Sequence, residues 1–257
     1  MTQSWFGLTA ALTLLGAGPA AAAIDLGAAA PFAVLGASTV TSTGDTVING
    51  DLGLSPGASI TGFPPGVVNG ATHVGDALAQ QARIDALAAY DALAALPVTT
   101  DLGGADLGGL DLTAGVYTFS SSAQLTGTLT LSGPGRFVFV IGSTLTTAGG
   151  AIVASTGCGG CDVYWDVGSS ATLGAGTAFE GTILAVASAA LNAGATIVDG
   201  RAIALNGAVT LDGATISAPG AGAPEPGVWT MMMVGFAGLG LAGARRAARR
   251  RLALARS

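Results

Sequence analysis

Apolar residues in the second half of this chain recur in short bursts, separated by glycine and small polar residues. The segments ATLGAGTAFEGTILAVAS from Ala171, ALNAGATIVDGRAIALNG from Ala190 and VTLDGATIS from Val209 align with one another. Leu173, Leu191 and Leu211 form one column at nearly even spacing, and Thr177, Thr196 and Thr215 form a second at even spacing. Gly181 and Gly200 make a third, each preceded by an acid, Glu180 or Asp199. An earlier segment, VTSTGDTVINGDLGL, fits the same template and puts Thr46 in the threonine column. A period of about 19 is short for a propeller blade and lacks the leucine-rich-repeat signature. It suits one coil of a three-sided β-solenoid whose short strands turn at Gly and Asn/Asp corners. Each coil would bury its inward Leu, Ile and Val against its neighbours, which an isolated coil cannot do.

One stretch breaks the pattern. DALAQQARIDALAAYDALAALP, residues 76–97, is rich in Ala and Leu, starts at a good N-cap, Asp76, and stops at Pro97. Ile84, Leu87, Tyr90, Leu93 and Leu96 recur at threes and form a helical ridge. The spacing predicts one helix over 76–96, about five turns long, lying along the solenoid flank and covering a hydrophobic side.

The two ends have other patterns. Residues 1–23 contain an apolar run, FGLTAALTLLGAGPAAAA, with Ala21 and Ala23 placed for cleavage before Ile24, and read as a secretory signal peptide. No Lys or Arg precedes the run, so the terminal amine alone supplies positive charge there. A Pro/Gly linker over 219–227 holds Pro224, Glu225 and Pro226. Residues 228–244 are uncharged and at the short end of what spans a bilayer. The basic tail 245–257 predicts a cytoplasmic C-terminus. Pro-Glu-Pro, apolar span and arginine cluster beginning at Arg245 and Arg246 together resemble the PEP-CTERM sorting signal. That resemblance implies export, transient membrane anchoring and processing by an exosortase-type enzyme.

Charge changes the picture further. The chain has no lysine, and six of its nine arginines lie in the tail. Between Ile24 and Ala223 only Arg83, Arg136 and Arg201 face fourteen Asp and Glu, a net charge of −11. Such a body lacks the basic footprint that nucleic acid requires, and suits an exported protein of the cell envelope, cell surface or medium.

The ordered motifs resemble the ice-binding protein domain of bacteria and cold-adapted microbial eukaryotes, over about residues 25–218. The most specific pieces are Ser55-Pro56-Gly57 with Gly62-Phe63-Pro64-Pro65-Gly66, the run from Val167 to Leu173 (VGSSATL), and Gly200-Arg201-Ala202. The resemblance implies a discontinuous, right-handed, three-sided β-solenoid with one long α-helix packed alongside, in a domain spanning 24–218. It also implies that one regular face adsorbs to ice. Threonine suits such a face: its methyl group orders water, its hydroxyl bonds water, and its branched Cβ keeps χ1 stiff.

The candidate array is a pair of repeat columns. Thr46, Thr177, Thr196 and Thr215 make one; Thr41, Thr172, Ala190 and Thr210 make the other, with Thr43 beside the first coil. Asp45 and Asp212 sit within or beside it as faults. Stacked Thr ladders are also ordinary in solenoids, so a cell-surface adhesin or a component of an exopolysaccharide matrix is the competing reading.

Catalysis finds little support. The acids are scattered at turns, the sole histidine, His73, follows a Gly-rich corner, and Arg201 reads as a partner of Asp199 or Glu180. No cofactor is expected. DLGGADLGGLDL, residues 101–112, holds two imperfect units and reads as a turn-rich connection, so no metal site is expected. Cys158-Gly-Gly-Cys161 lies among glycines rather than at a strand-to-helix turn, and lacks further zinc ligands. Export favours oxidation, so Cys158 and Cys161 are expected to form a local disulfide clip.

Overall fold

The computed structural model describes residues 24–158 and 161–220. The segments read as leader, apolar span and basic tail lie outside them, as do Pro224, Glu225, Pro226, Arg245 and Arg246. Among the described residues no helix is long and apolar enough to cross a membrane. The strands build a parallel β-solenoid of about nine turns, with one helix alongside.

Three ladders of strands run along the stack. Ladder b is a separate sheet in the order Ala123–Leu125, Leu145–Thr147, Ala171–Leu173, Ala189–Leu191, Val209–Asp212, Thr39–Thr43 and Ser59–Thr61. Ladder c carries the residues that follow in each coil, with Ile152, Ala178, Thr196, Thr215, Val47 and Val67 in register. Ladder a aligns Tyr117, Phe139, Trp165, Ile183 and Ala202, then Val34 and Leu52.

The stack is discontinuous in sequence. Val209–Asp212 pairs with Thr39–Thr43, so the last coil of the chain rests on the first. The remaining coils lie on the far side of this joint, and the helix α1 (Ala77–Ala94) carries the chain to them. It leaves from the strand Thr72–Val74 at one edge and leads to Thr100–Asp101 at the other. Eighteen residues span about 27 Å as a helix. Nine stacked strands spread over roughly 38 Å, and residues 95–99 make up the difference. Asp76 caps the helix by accepting from the Ala79 amide at 2.8 Å.

The helix packs by only part of its large-residue ridge: Leu93 is buried, and Tyr90 and Leu96 pack against the same core. Ala79, Ala82, Ala86, Ala89 and Leu93 are buried, whereas Ile84 is 56% and Leu87 44% exposed. Ladder a supplies the bulk, with Leu35, Val138, Tyr164, Leu184 and Ile203 filling the space beneath the alanines. Small residues on the helix let it lie close to a surface that is already bulky.

Inside the coils, side-chain size follows coil length. The coil from Phe139 to Trp165 is markedly longer than the one from Trp165 to Ile183. The long coils enclose Tyr117, Phe139 and Trp165, with ring centroids 5.5 and 4.0 Å apart. The short coils enclose Ile183 and Ala202 at the same register. The coil between Phe139 and Trp165 also contains Cys158 and Cys161, disulfide-bonded with Cα atoms 5.5 Å apart. Where ladder c turns into ladder a, Gly200 is packed so tightly that a Cβ would overlap the carbonyl oxygen of Gly181.

Arg201 pairs with neither Asp199 nor Glu180. It is buried, and donates from Nε to the Ala30 carbonyl at 3.0 Å and from Nη1 to Thr182 Oγ1 at 3.2 Å. It thereby ties the N-terminal segment to the stack. Among the described residues two hydrophobic cores run through the body, one inside the coils and one beneath α1.

Asp166 is 1% exposed at the helix–ladder a interface, and its Oδ2 has no hydrogen-bond partner. Burial pushes its carboxyl from 3.8 up to about 7, against the lowering effect of a hydrogen bond from Tyr90; the nearby Asp91 charge adds to the rise. Between roughly pH 4 and 7 the folded protein therefore holds a proton that the unfolded chain releases. The contribution of this group to stability falls as pH rises through that window and is level above it. Asp166→Asn should raise Tm at pH 8 and flatten the pH dependence of Tm between 4 and 7 in thermal melts; an unchanged profile would contradict this account.

Candidate functional site

Along each ladder b strand the side chains point alternately in and out. Most inward positions are Ala, Leu or Val, as in Ala171 and Leu173, Ala189 and Leu191, or Val209 and Leu211, and Ser42 and Thr147 are buried polar exceptions. The outward position between them lines up across the sheet in one row: Gln124, Thr146, Thr172, Ala190, Thr210, Thr41 and Thr61. No member is charged. A second row precedes it at the corner, with Ser122, Thr144, Ser170, Ser188, Ala208, Thr39 and Ser59, short hydroxyls at every position but Ala208. Thr144 Oγ1 donates to Ser122 Oγ at 2.8 Å, and Ser188 Oγ accepts from the Ala208 amide at 3.2 Å, so these hydroxyls also link coils.

Ladders a and c differ from this. Ladder a lies under α1 and the N-terminal segment, against which its outward side chains pack. Ladder c presents one row of Thr128, Ile152, Ala178, Thr196, Thr215, Val47 and Val67, in which Ile152 is 40% and Val67 50% exposed. Its next row contains Glu180 and Asp111.

The structure brings Thr41, Thr172, Ala190 and Thr210 into the central row of ladder b, with Thr43 exposed beside it. Thr43 Oγ1 donates to Asp212 Oδ1 at 3.1 Å, so the carboxylate borders the row rather than breaking it. Thr196 and Thr215 pair with each other on ladder c.

Thr46 and Thr177 leave the candidate set, because both are 0% exposed. Their true column is Thr46, Ala151, Thr177, Ala195 and Ala214, an interior corner one residue before ladder c. The corner between ladders b and c is one residue shorter after Leu211 than after Leu173 or Leu191, since Leu211 reaches ladder c at Thr215. Thr177 stands four residues after Leu173 but Thr196 five after Leu191, so aligning the two slipped the register by one, and in a strand that slip moves a side chain from outside to inside.

Sequence reasoning missed Thr61, Gln124 and Thr146. Ala123-Gln124-Leu125 and Leu145-Thr146-Thr147 carry the same in–out–in pattern as Ala171-Thr172-Leu173, which is the signal that could have found them. Gln124 stacks on Thr146 and Thr146 on Thr172, across coils longer than the repeat that set the alignment. A search at the shorter period passes over them.

His73 lies on the strand Thr72–Val74, with Nδ1 2.7 Å from Asp76 Oδ2. In the connection 101–112 the carboxylates cap local turns: Asp101 accepts from the Gly103 amide and Asp106 from the Gly108 amide. A groove of about 470 Å³ runs past Asp25, Asp162, Glu180, Asp199 and Arg201. Among the described residues no group of three or more His, Cys, Asp or Glu is arranged to hold a metal ion.

The scaffold is thus a stack of parallel coils with an uncharged row in register along ladder b. The chain belongs to the ice-binding-like family, whose sequence model matches residues 34–217. It is 55% identical over 191 residues to an ice-binding protein of Nostoc sp. (strain HG1), covering 73% of this chain and 71% of that one. Among solved structures it resembles an ice binding protein from an Antarctic biological consortium, with a TM-score of 0.74, 43% identity, and coverage of 80% of this chain and 96% of the other. It also resembles the ice-binding protein of the Antarctic ascomycete Antarctomyces psychrotrophicus, with a TM-score of 0.72, 42% identity, and coverage of 75% and 97%.

Thr46 offers a direct check of the corrected register. Its buried Oγ1 has no hydrogen-bond partner, and an unsatisfied hydroxyl of this kind costs about 1–3 kcal/mol. Thr46→Val should keep or raise Tm in calorimetry and leave any surface adsorption unchanged. A loss of adsorption at constant Tm would return Thr46 to the exposed set.

Proposed function

We propose that this protein is an exported ice-binding protein that adsorbs to ice through the ladder b face and catalyses no reaction. The observation that carries this reading is the uncharged row from Gln124 to Thr61, set on one in-register parallel sheet. Parallel strands repeat at about 4.8 Å, so the row offers methyl and hydroxyl groups at one fixed interval. Water held by such groups is ordered by position, with no charge to draw it into a tighter hydration shell. The solenoid is right-handed and three-sided in this reading, and Thr41, Thr43, Thr172, Ala190 and Thr210 belong to the adsorbing face.

The leader pattern in 1–23 supports export. The Pro-Glu-Pro motif, apolar stretch and arginines of 224–257 support anchoring in the membrane before processing by an exosortase-type enzyme. The protein then acts at the cell surface, in an exopolysaccharide matrix or in the medium.

The test uses residues 24–223. Thermal hysteresis and ice-recrystallisation assays should detect activity in the unaltered body. Thr172→Tyr or Thr210→Tyr should each lower adsorption about tenfold, equivalent to ~1.4 kcal/mol, because a ring lifts the face from the lattice. Thr196→Tyr on ladder c should leave most of it. No activity in the unaltered body would favour an adhesin or matrix role, and loss on Thr196→Tyr alone would move the site to ladder c.

A further inference from the structure

We infer that Thr147 and Thr177 form a buried hydroxyl clamp that holds Thr146 level with Thr172, so that the two are positioning residues for the ladder b face. The inference rests on the ice-binding reading of that face.

The starting observation is a lapse in the backbone ladder. Ala123–Leu125 pairs with Leu145–Thr147 along its whole length, and Ala171–Leu173 pairs with Ala189–Leu191 along its whole length. Between them, Leu145 pairs with Ala171 and Thr146 with Thr172, and there the pairing stops. The missing third pair would be Thr147 with Leu173.

Side chains fill the gap. Thr147 Oγ1 accepts a hydrogen bond from the Gly174 amide at 2.8 Å. Thr147 Oγ1 and Thr177 Oγ1 lie 2.8 Å apart, and Thr177 Oγ1 donates to the Ala148 carbonyl at 3.2 Å. Thr147 is 4% and Thr177 0% exposed, so neither belongs to an external surface. At the facing position a Cβ on Gly174 would press into the Ala148 backbone, so the coils meet closely here.

The location explains the need for a clamp. The coil from Thr146 to Thr172 is markedly longer than the coil from Thr172 to Ala190. A wide coil therefore meets a narrower one across this junction, directly beneath the row. Without a tie here, the rungs of Gln124 and Thr146 would be free to settle in a different plane from Thr172 and the rungs beyond it. Thr147 stands in the inward row of Leu125, Leu173, Leu191, Leu211 and Ser42, and unlike Ser42, whose Oγ has no hydrogen-bond partner, its hydroxyl is engaged in this tie.

The experiment replaces Thr147 by Val, which keeps the shape and removes the acceptor, in residues 24–223. Leu93→Ala, on the packed face of α1 and outside ladder b, serves as a control for stability loss. Hydrogen exchange should show the Gly174 amide protected in the unaltered protein and exposed in Thr147→Val. Thermal hysteresis should fall severalfold in Thr147→Val, well beyond the fall in the control at comparable Tm, and Thr147→Ser should restore both. An unprotected Gly174 amide in the unaltered protein overturns the clamp. Adsorption that falls no more than in the control overturns the positioning role. A protected amide in a protein that shows no hysteresis overturns the ice-binding reading itself and, with it, the positioning role.

Discussion

The parallel pairing of Val209–Asp212 with Thr39–Thr43 is the joint on which the rest of this structure depends. It places the last coil against the first and makes one continuous stack from two stretches of chain. Thr210 and Thr41 meet across it, so the exposed row of ladder b is unbroken only because this pairing is in register. The same joint continues on the other two ladders, through Thr215 with Val47 and Ala202 with Val34. Because the two stretches must join in mid-stack, the chain has to return from one edge to the other, and α1 is that return.

Two packing solutions support the joint. Within the coils, aromatic rings occupy the long turns and Ile or Ala the short ones, so volume is filled at each level without changing the spacing of the strands. Outside the coils, alanines on α1 meet bulky side chains on ladder a. The helix thereby shields one surface, while ladder b keeps its short side chains free. Of the buried polar side chains, Arg201 is tied to Ala30 and Thr182 and Thr147 to Gly174 and Thr177, whereas Thr46 Oγ1 and Asp166 Oδ2 have no partner.

Much of the architecture was legible in the apolar periodicity. Leu173, Leu191 and Leu211 do stack, because an inward leucine has no alternative place in a narrow coil. Helix existence and its Asp76 start were legible for a local reason, the capping oxygen before an Ala/Leu run. Which helix face packs was not, since Ile84 and Leu87 look like core residues until the bulk of ladder a is known. The threonine column failed at Thr46 and Thr177, which stand one residue before the ladder c positions of Val47 and Ala178, because even spacing of a residue type does not report which neighbour faces outward. Thr146 stayed hidden because its coil is long, and coil length goes with the rings inside it rather than with any surface pattern.

The route by which the chain leaves the stack has a mechanical consequence. Ser217 ends ladder c in the coil beside the joint, well inside the stack, and Pro219 emerges beside Pro31, where the chain also enters ladder a. Both ends of the body thus share the corner between ladders c and a, the one corner that ladder b does not border. A tether through that point would pull from inside the stack, at the third rung from the Val67 edge, and through ladders c and a rather than through ladder b.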